Sequence, residues 1–211
     1  MKDIGEVVIS FGDFAFRGCR AQKKDEAKFD AFESPSYHPL AYITEKIDLQ
    51  PICMPRSPSY SSTNFRPSFQ AGVAQISLIP GLEPELFTPI LDMQQCKGII
   101  LQSFGAGNVP HESEFSFPPF IKTASSKGIP VIVTSQFPAN ATTDSAYESG
   151  VEANEAGAIP TGNMTNSCAV AKFRWVLSKV EGKLARNEIQ QDQKLAATDE
   201  MMRTIYIGEM D

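Results

Sequence analysis

The chain has 211 residues, of which 42% are hydrophobic and 21% are charged, a balance typical of a soluble globular protein with a packed core. Its 19 basic and 25 acidic residues give a net charge of −6, which argues against a nucleic-acid or anionic-membrane surface. No apolar run approaches the ~18 residues of a membrane span, and the first residues lack the pattern of a signal peptide. The length allows one large domain, or one full domain with part of another.

Four cysteines occur without the paired spacing of a metal site or a disulfide framework: Cys19, Cys53, Cys96 and Cys168. We interpret them as reduced thiols of a cytoplasmic protein, with a disulfide pair or a metal site as the alternative. The two histidines, His38 and His111, have no partner residues at metal-ligand spacing. We therefore expect no metal centre.

Two β-prone runs, residues 6–11 and 14–17, flank Gly12-Asp13 near the start of the chain. A two-residue loop that begins with glycine between such runs predicts a β-hairpin. The charged residues 23–28 are capable of forming a helix, and residues 40–47 predict a turn and a short strand. A hairpin is marginal alone and no partner strand stands out, so we expect this part to belong to a domain whose other strands are absent.

Residues 50–72 interrupt the regular patterns, because four prolines and five serines there leave little periodicity. We interpret this segment as a linker. It would separate a remnant of one domain, residues 1–49, from a second domain formed by residues 73–211.

After the linker, short apolar runs alternate with helical patterns. The predicted strands span residues 73–79, 98–104, 129–134 and 159–161. The predicted helices span residues 83–93, 116–126, 144–156 and 166–180. This alternation implies parallel strands joined by right-handed crossovers. The predicted fold class is therefore α/β, with a small parallel-sheet, Rossmann- or flavodoxin-like domain preceded by the hairpin.

Two apolar faces are predicted on these helices. Leu86, Ile90 and Met93 recur at spacings of four and three and share one face. In the polar helical tail, residues 183–210, the apolar side chains able to dock on the body are Met201, Met202 and Ile205.

The glycine loop after the second predicted strand is the first candidate site. Residues 98–110 read GIILQSFGAGNVP, and ligands bind at the carboxyl ends of strands in open α/β sheets. The loop begins like a dinucleotide fingerprint, but its third glycine is replaced by Pro110 and no acidic residue is placed to contact a ribose. We expect no nucleotide cofactor, which leaves a left-handed turn or a loop whose Asn108 amide contacts a polar ligand.

A second polar group, Thr134-Ser135-Gln136, follows the third predicted strand and reaches the same edge of the sheet. These side chains could bind a ligand, but capping of the next turn is the favoured interpretation. The sequence holds no Gly-x-Ser-x-Gly elbow and no evident Ser–His–Asp or Cys–His set. The residues alone therefore predict a ligand-site scaffold without a nucleophile.

Several segments in this order resemble one family: IGEVVISF, RGCR, FDAFESP, GIILQSFGAGNVP, IPVIVTSQ, AYESG and GAIPTGNMTNSCAVAKFRWVLS. Together they resemble the type I L-asparaginases and the asparaginase-like subunit of archaeal glutamyl-tRNA amidotransferases. The resemblance implies a two-domain α/β amidohydrolase that acts on asparagine as a homodimer or tetramer. Residues 1–49 would be the end of its catalytic domain, and residues 73–211 its C-terminal domain.

The resemblance also carries expectations about the active site. The family's threonine nucleophile lies in a Thr-Gly-Gly-Thr-Ile motif, followed by a Gly-Thr-Asp-Thr-type motif, and neither occurs in these 211 residues. We therefore expect no catalytic residue in this chain. By resemblance, Asn108 and Tyr147 contact the substrate in the site of a neighbouring subunit.

Some family members also bind asparagine at an effector site between subunits. By resemblance, that site would correspond here to Gln102, Ser135 and Phe137. The family's arginine and cysteine are replaced by Gln102 and Phe137, and a lost guanidinium removes the bidentate partner of a carboxylate. We expect this site to be degenerate. A further departure is Cys19, which stands where the family's Arg-Gly-Asn-Arg pattern has asparagine.

Three hypotheses follow for function. The chain could be an asparaginase remnant that does not turn over asparagine alone. It could instead be a binding or assembly module that pairs through its open strand edge with an asparaginase-type N-terminal partner. The third hypothesis is a sequence that begins at an internal methionine of an active asparaginase.

Overall fold

A β-hairpin opens the antiparallel part of the fold, as predicted. The structure is a computed structural model that describes residues 4–56, 68–137 and 148–211. Strands β1 (Val8–Phe11) and β2 (Phe14–Arg17) pair antiparallel. Gly12 between them has a φ of 58°, a left-handed conformation that glycine adopts without a steric penalty.

The predicted helix at residues 23–28 is wrong. Gln22–Lys23 forms β3, which pairs with β4 (Phe32–Glu33) in a separate two-stranded sheet. Between these strands the Asp25 carboxylate accepts hydrogen bonds from the backbone N–H groups of Ala27 and Lys28. This local turn satisfies the backbone without a helix, and the segment offers no large apolar side chain for a helix to bury.

The hairpin pairs with two further strands, although no partner strand stands out in the sequence. Strand β5 (Ala41–Ile43) pairs with β2, and β6 (Ile47–Leu49) pairs with β5, which gives a four-stranded antiparallel sheet of order β1-β2-β5-β6. The partners are only three residues long. The short strand predicted within residues 40–47 is present as β5. Strand β6 was not predicted, because three residues carry too little alternation to be recognised from sequence.

A parallel sheet with helices forms the second half of the chain, which confirms the predicted α/β fold. Its strands are β7 (Val73–Ser77), β8 (Gly98–Ser103), β9 (Val131–Ser135) and β10 (Ala158–Pro160), in the order β10-β9-β8-β7. Its helices are α1 (Pro118–Ser126), α2 (Glu148–Glu155), α3 (Asn166–Ala185) and α4 (Lys194–Arg203). None of the helices in the described ranges is both long and apolar enough to cross a membrane.

The central strands are buried on both faces, as expected for a parallel sheet covered by helices. Ile99 and Leu101 of β8 face a core that includes Phe117 and Ile121 of the α1 region. Ile100 faces the opposite core, which is filled from α3 and α4. The sheet therefore holds two separate apolar layers in place.

The segment between β7 and β8 is helical, but its predicted apolar face is wrong. Pro84–Asp92 forms a 3-10 helix with Pro89 inside it, where proline has no N–H to donate to an α-helical turn. Leu86 and Met93 are 67% and 53% exposed, whereas Leu91 is buried. A 3-10 helix has about 3.0 residues per turn, so the side chains that share a face differ from those of an α-helix.

Helix α3 lies so close to β8 that the strand can carry no side chain at its first residue. A Cβ on Gly98 would lie 2.6 Å from Phe173 Cζ and 3.1 Å from Leu177 Cδ1. Both of these side chains are buried, so neither can move away easily. The close approach seats α3 on the sheet.

A buried ion pair holds the end of the chain against α3. The Lys172 ammonium lies 2.6 Å from the Glu209 carboxylate, and their side chains are only 6% and 2% exposed. Glu209 also accepts a hydrogen bond from the backbone N–H of Ile207, at 2.9 Å. Met202 docks in the core as predicted, but the predicted docking of Ile205 is wrong, because that side chain is 51% exposed.

The same terminal segment, residues 204–211, also holds the antiparallel sheet. Arg20 donates to the Gly208 carbonyl at 2.7 Å and to the Asp211 carboxylate at 2.9 Å. Arg17 donates to the same Gly208 carbonyl, at 3.4 Å. A Cβ on Gly208 would lie 2.5 Å from Arg17 Nη1. The terminal segment therefore joins the two sheets.

Gly98→Ala should destabilise the protein by about 1–3 kcal/mol, because the added methyl overpacks a rigid core. The urea midpoint of unfolding measures this effect. Gly150→Ala in α2 is the matched control: a Cβ there meets nothing closer than 3.8 Å, and we expect a change between zero and a gain of about 1 kcal/mol. Equal effects of the two variants would contradict the tight seating of α3.

Glu209→Gln should lower the free energy of unfolding by about 3–5 kcal/mol, because it leaves the Lys172 charge buried without its counterion. The matched control is Asp92→Asn, which removes the exposed ion pair between Asp92 and Lys127 and should change stability by less than about 1 kcal/mol. Denaturant titration at pH 7 measures both. A loss for Glu209→Gln no larger than for the control would contradict a role for the buried pair.

The Glu209 carboxyl should also contribute to acid unfolding. Burial raises its pKa, but the hydrogen bonds from Lys172 and from the Ile207 N–H outweigh burial, and the net pKa is lowered. A carboxyl with a lowered folded-state pKa stabilises the protein fully above its unfolded pKa of about 4.3, and that stability is lost as the pH falls through the lowered value. The urea midpoint of the native chain should fall more between pH 6 and pH 3, roughly the range on either side of that pKa, than the midpoint of Glu209→Gln. Parallel pH profiles would contradict this assignment.

Candidate functional site

The glycine loop forms a closed turn at the carboxyl end of β8. The Phe104 N–H donates to the Asn108 carbonyl at 3.1 Å, and the Asn108 N–H donates back to the Phe104 carbonyl at 2.8 Å. Gly105 and Gly107 have φ values of 47° and 108°, which favour glycine. The left-handed turn predicted from the sequence is therefore present.

The side chain of Asn108 lies back over this turn. A Cβ on Gly105 would approach Asn108 Nδ2 to 3.3 Å, so the amide is held close to the start of the loop. Asn108 itself is half-buried, and the neighbouring Val109 is fully buried in the core. The turn thus presents a carboxamide at the sheet edge on a backbone that the core anchors.

Ser135, at the end of β9, braces the loop from the next strand. Its hydroxyl donates to the Gly105 carbonyl at 2.5 Å and accepts from the Phe137 N–H at 2.9 Å. Gln136 donates to the Leu78 carbonyl, also at 2.5 Å. Ser135 thus caps the next turn, as the sequence predicts. Gln136 does not cap a turn but joins the end of β9 to the residue after β7.

Thr134 contributes differently from its neighbours. Its side chain is buried, and its hydroxyl makes no hydrogen bond with the described part of the protein. Its backbone carbonyl accepts from the Ser103 hydroxyl at 2.8 Å, which ties the ends of β8 and β9 together.

Of the two predicted substrate contacts, Asn108 and Tyr147, the structure describes only Asn108. Asn108 lies in the braced loop, and the backbone of α2 approaches that loop, since a Cβ on Gly150 would lie 3.8 Å from the Gly107 carbonyl. Tyr147 immediately precedes α2 but lies outside the described residues. Its role at the site therefore stays a prediction.

The residues of the predicted degenerate effector site lie along the same edge. The side-chain oxygen of Gln102, Oε1, accepts hydrogen bonds from the Ser77 hydroxyl at 2.7 Å and from Gln75 Nε2 at 3.3 Å. Ser135 is engaged with the loop, as above, and Phe137 is 57% exposed. Gln102 is thus a neutral amide already bonded to β7, and the loss of carboxylate binding there stays a prediction.

The chemistry available at this edge is that of amides and hydroxyls. Asn108 can orient a polar ligand by hydrogen bonds, whereas Thr134 is buried and the Ser135 hydroxyl is engaged within the protein. None of these three side chains is a base at neutral pH. Among the described residues, no group of His, Cys, Asp and Glu side chains is arranged to hold a metal ion. The edge is therefore suited to positioning an amide or a carboxylate.

Sequence reasoning missed a second concave site, a cavity of about 440 Å³ where the two sheets meet. Its walls come from four distant parts of the chain, and they include Gly18, Cys19, Phe69, Cys168, Trp175 and Ile207. The four noted cysteines were the only available signal, because nothing in their spacing shows that Cys19 and Cys168 lie together.

Both parts of the chain match known families. Residues 72–191 match the family described as Glutaminase/Asparaginase C-terminal domain, and residues 1–52 match Asparaginase, N-terminal. The L-asparaginase of Dirofilaria immitis is 33% identical over 178 residues, 84% of this chain and 30% of that relative. The L-asparaginase of Thermococcus kodakarensis is 30% identical over 173 residues, 81% of this chain and 50% of that relative.

Solved structures agree. L-asparaginase I from Vibrio cholerae matches with a TM-score of 0.82 and 26% identity, over 99% of this chain and 58% of that one. The chain therefore belongs to the glutaminase/asparaginase family, as its motifs predicted. It spans between 30% and 58% of the length of these three relatives.

Ser135→Ala should loosen the glycine loop without unfolding the protein. The loop loses a brace worth about 1 kcal/mol, so the amides of Gly107 and Asn108 should exchange with deuterium roughly 5-fold faster. Ser126→Ala is the matched control, because the exposed Ser126 hydroxyl bonds to the Thr123 carbonyl within α1 and its loss should leave the loop unchanged. Unaltered exchange of residues 105–109 in Ser135→Ala would contradict the bracing role.

Proposed function

We propose that this chain takes part in the hydrolysis of the side-chain amide of asparagine, which yields aspartate and ammonia, by presenting Asn108 to an asparaginase-type active site. The observation that carries the proposal is the braced Gly-Ala-Gly-Asn turn at the carboxyl end of β8, in a chain whose two parts both match asparaginase families. The relatives from Dirofilaria immitis and Thermococcus kodakarensis are named L-asparaginases.

Amide hydrolysis needs two kinds of group, and we propose that this chain supplies one of them. An activated nucleophile must attack the amide carbon, and other groups must orient the substrate. The threonine motifs of the family do not occur in these 211 residues, whereas Asn108 offers one amide donor pair and one acceptor. We assign this chain the orienting part, with Tyr147 as the second contact, and we expect no turnover by the chain alone.

Several finer properties belong to the same proposal. We propose cytoplasmic residence and assembly as a homodimer or tetramer, with the site completed by another subunit or by an N-terminal segment. We also propose that an effector site at Gln102, Ser135 and Phe137 no longer binds asparagine, since Gln102 brings no positive charge.

A second candidate function, assembly with an asparaginase-type N-terminal segment, is favoured by an exposed aromatic surface. This surface consists of Phe11, Phe14 and Tyr42 on one face of the antiparallel sheet. The rings of Phe14 and Tyr42 are 5.8 Å apart, and Phe11 and Tyr42 remain 38% and 39% exposed. Grouped exposed apolar side chains of this kind mark protein contacts.

The ammonia assay tests the expected lack of turnover. The purified chain with millimolar asparagine should release no ammonia above the buffer rate, because the family's threonine motifs, which supply the nucleophile, do not occur in these 211 residues. Saturable ammonia release by the chain alone would overturn this part of the proposal.

Co-expression with an N-terminal asparaginase segment that carries the Thr-Gly-Gly-Thr-Ile motif tests the positive part. We expect a complex that releases ammonia from asparagine, and a kcat/KM roughly 10- to 100-fold lower for Asn108→Ala, the effect of losing one hydrogen bond to a charged substrate. Ser126→Ala serves as the control with unchanged kcat/KM. Full activity of Asn108→Ala in that complex would contradict the orienting role.

The same complex tests the exposed aromatic surface. The double variant Phe11→Ser/Tyr42→Ser should co-elute less with the N-terminal segment, while Phe29→Ser, at a position 96% exposed outside that surface, should bind as the native chain does. A monodisperse monomer in light scattering, with no complex on mixing or on co-expression, would contradict the assembly function.

A further inference from the structure

Two thiols from distant parts of the sequence meet at the cavity between the sheets. Cys19 lies in the 3-10 turn Gly18–Arg20 that follows β2, and Cys168 lies in the first turn of α3. Both are half-buried and both line the cavity of about 440 Å³. Each thiol is the largest single influence on the pKa of the other, so the two side chains are neighbours in the wall of this cavity.

The backbone holds each thiol in position. The Cys168 N–H donates to the hydroxyl of Thr165, the residue that caps α3, at 3.2 Å. Cys19 lies between Arg17 and Arg20, whose guanidinium groups are buried and bonded to the terminal segment. The Cys19 sulfur is 3.8 Å from the Ile207 carbonyl. The pair is therefore set in the joint that connects the two sheets.

The surroundings shift the pKa values of the two thiols in opposite directions, and the pKa of Cys19 is lowered. The hydrogen bond from Cys168 is the largest cause that lowers the pKa of Cys19, and the positive charges of Arg17 and Arg20 lower it further, against burial and Glu209. The thiolate is the reactive form of cysteine. Cys19 is thus the nucleophilic member of the pair.

Cys168 has the opposite tendency. Its hydrogen bond to Cys19 raises its pKa most, burial and Glu209 raise it further, and only Lys172 acts in the other direction. It is therefore the member of the pair that keeps its proton. In a thiol pair this is the arrangement of a reactive thiolate beside a second thiol that can resolve its oxidised form.

The other two cysteines lack such a partner. Cys53 donates to the Leu40 carbonyl at 3.2 Å, and burial raises the pKa of Cys96. Neither lines the cavity. The chain therefore provides two internal controls for thiol chemistry at the cavity.

We propose that Cys19 and Cys168 form a reversible dithiol–disulfide site that reacts with hydrogen peroxide entering through the cavity. The open cavity gives a small oxidant access to both sulfurs. This chemistry uses no residue of the glycine loop, so it goes beyond the proposed amide hydrolysis and stands independently of it.

The reaction balances in two steps. The Cys19 thiolate attacks one oxygen of the peroxide, the O–O bond breaks, and the departing hydroxide takes a proton to become water, which leaves a sulfenic acid on Cys19. The Cys168 sulfur then attacks that sulfur, the S–O bond breaks, and a second water leaves with the Cys168 proton. Two thiols are oxidised to one disulfide while one peroxide is reduced to two waters.

The disulfide would join the antiparallel sheet covalently to α3 across the joint. It closes a long loop of the chain, and such cross-links stabilise mainly by restricting the unfolded state. We therefore expect the oxidised chain to melt roughly 5–15 °C above the reduced chain.

Mass spectrometry and thiol titration of the native chain test the proposal. After treatment with a small excess of hydrogen peroxide, two of the four thiols should no longer react with a thiol reagent, and the intact mass should fall by about 2 Da. Trypsin should release the peptide Gly18-Cys19-Arg20 linked to the peptide of residues 128–172. Dithiothreitol should restore all four thiols.

Variants separate this site from general oxidation. Cys19→Asn and Cys168→Ser should abolish both the linked peptide and the shift in melting temperature, while Cys53→Ser and Cys96→Ser should keep both. Two outcomes overturn the proposal in the native chain itself, whether or not the variants fold. One is disulfides scattered among all four cysteines, and the other is a gain of about 32 Da on Cys19, the mark of a sulfinic acid, without a linked peptide.

Discussion

The buried charges around the terminal segment are the constraint on which the arrangement of the two sheets depends. Lys172 and Glu209 are almost fully buried, so each needs the other to compensate for its lost hydration. Gly208, one residue before Glu209, receives hydrogen bonds from Arg17 and Arg20 of the other sheet. The terminal segment, residues 204–211, therefore supplies hydrogen-bond acceptors to Lys172 of α3 and to Arg17 and Arg20 beside the antiparallel sheet. The need to pair these buried charges sets the position of one sheet relative to the other.

The cavity and its thiol pair are consequences of this joint. The terminal segment brings the turn after β2 close to the first turn of α3, and the space between them is lined by apolar and aromatic side chains rather than filled. The glycine loop relies on different contacts, the hydrogen bonds from Ser135 to Gly105 and between Phe104 and Asn108. A change at the joint can therefore alter the cavity while the loop stays intact, which makes the two sites experimentally separable.

Local patterns predicted most of the fold because the elements concerned carry strong signals. Strands β8 and β9 are continuous apolar runs, as burial on both faces demands, and Gly12 identified the hairpin turn. The predictions failed where a side chain or a proline prevented an α-helix, and where a strand was too short to show a pattern. Asp25 bonds to nearby backbone N–H groups in place of a helix, and Pro89 lies in a 3-10 helix that exposes Leu86. Strand β6 is too short to show alternation.

The sequence by itself determined the α/β class, the family and the candidate role of Asn108, because these depend on the order of apolar runs, glycines and motifs along the chain. Only the tertiary structure decided that β2 pairs with β5, that Glu209 neutralises Lys172, and that Cys19 meets Cys168. Each of these contacts joins residues that are distant in sequence. Their pairing is set by which buried charges and apolar faces must be covered once the sheets form, and no local spacing encodes that choice.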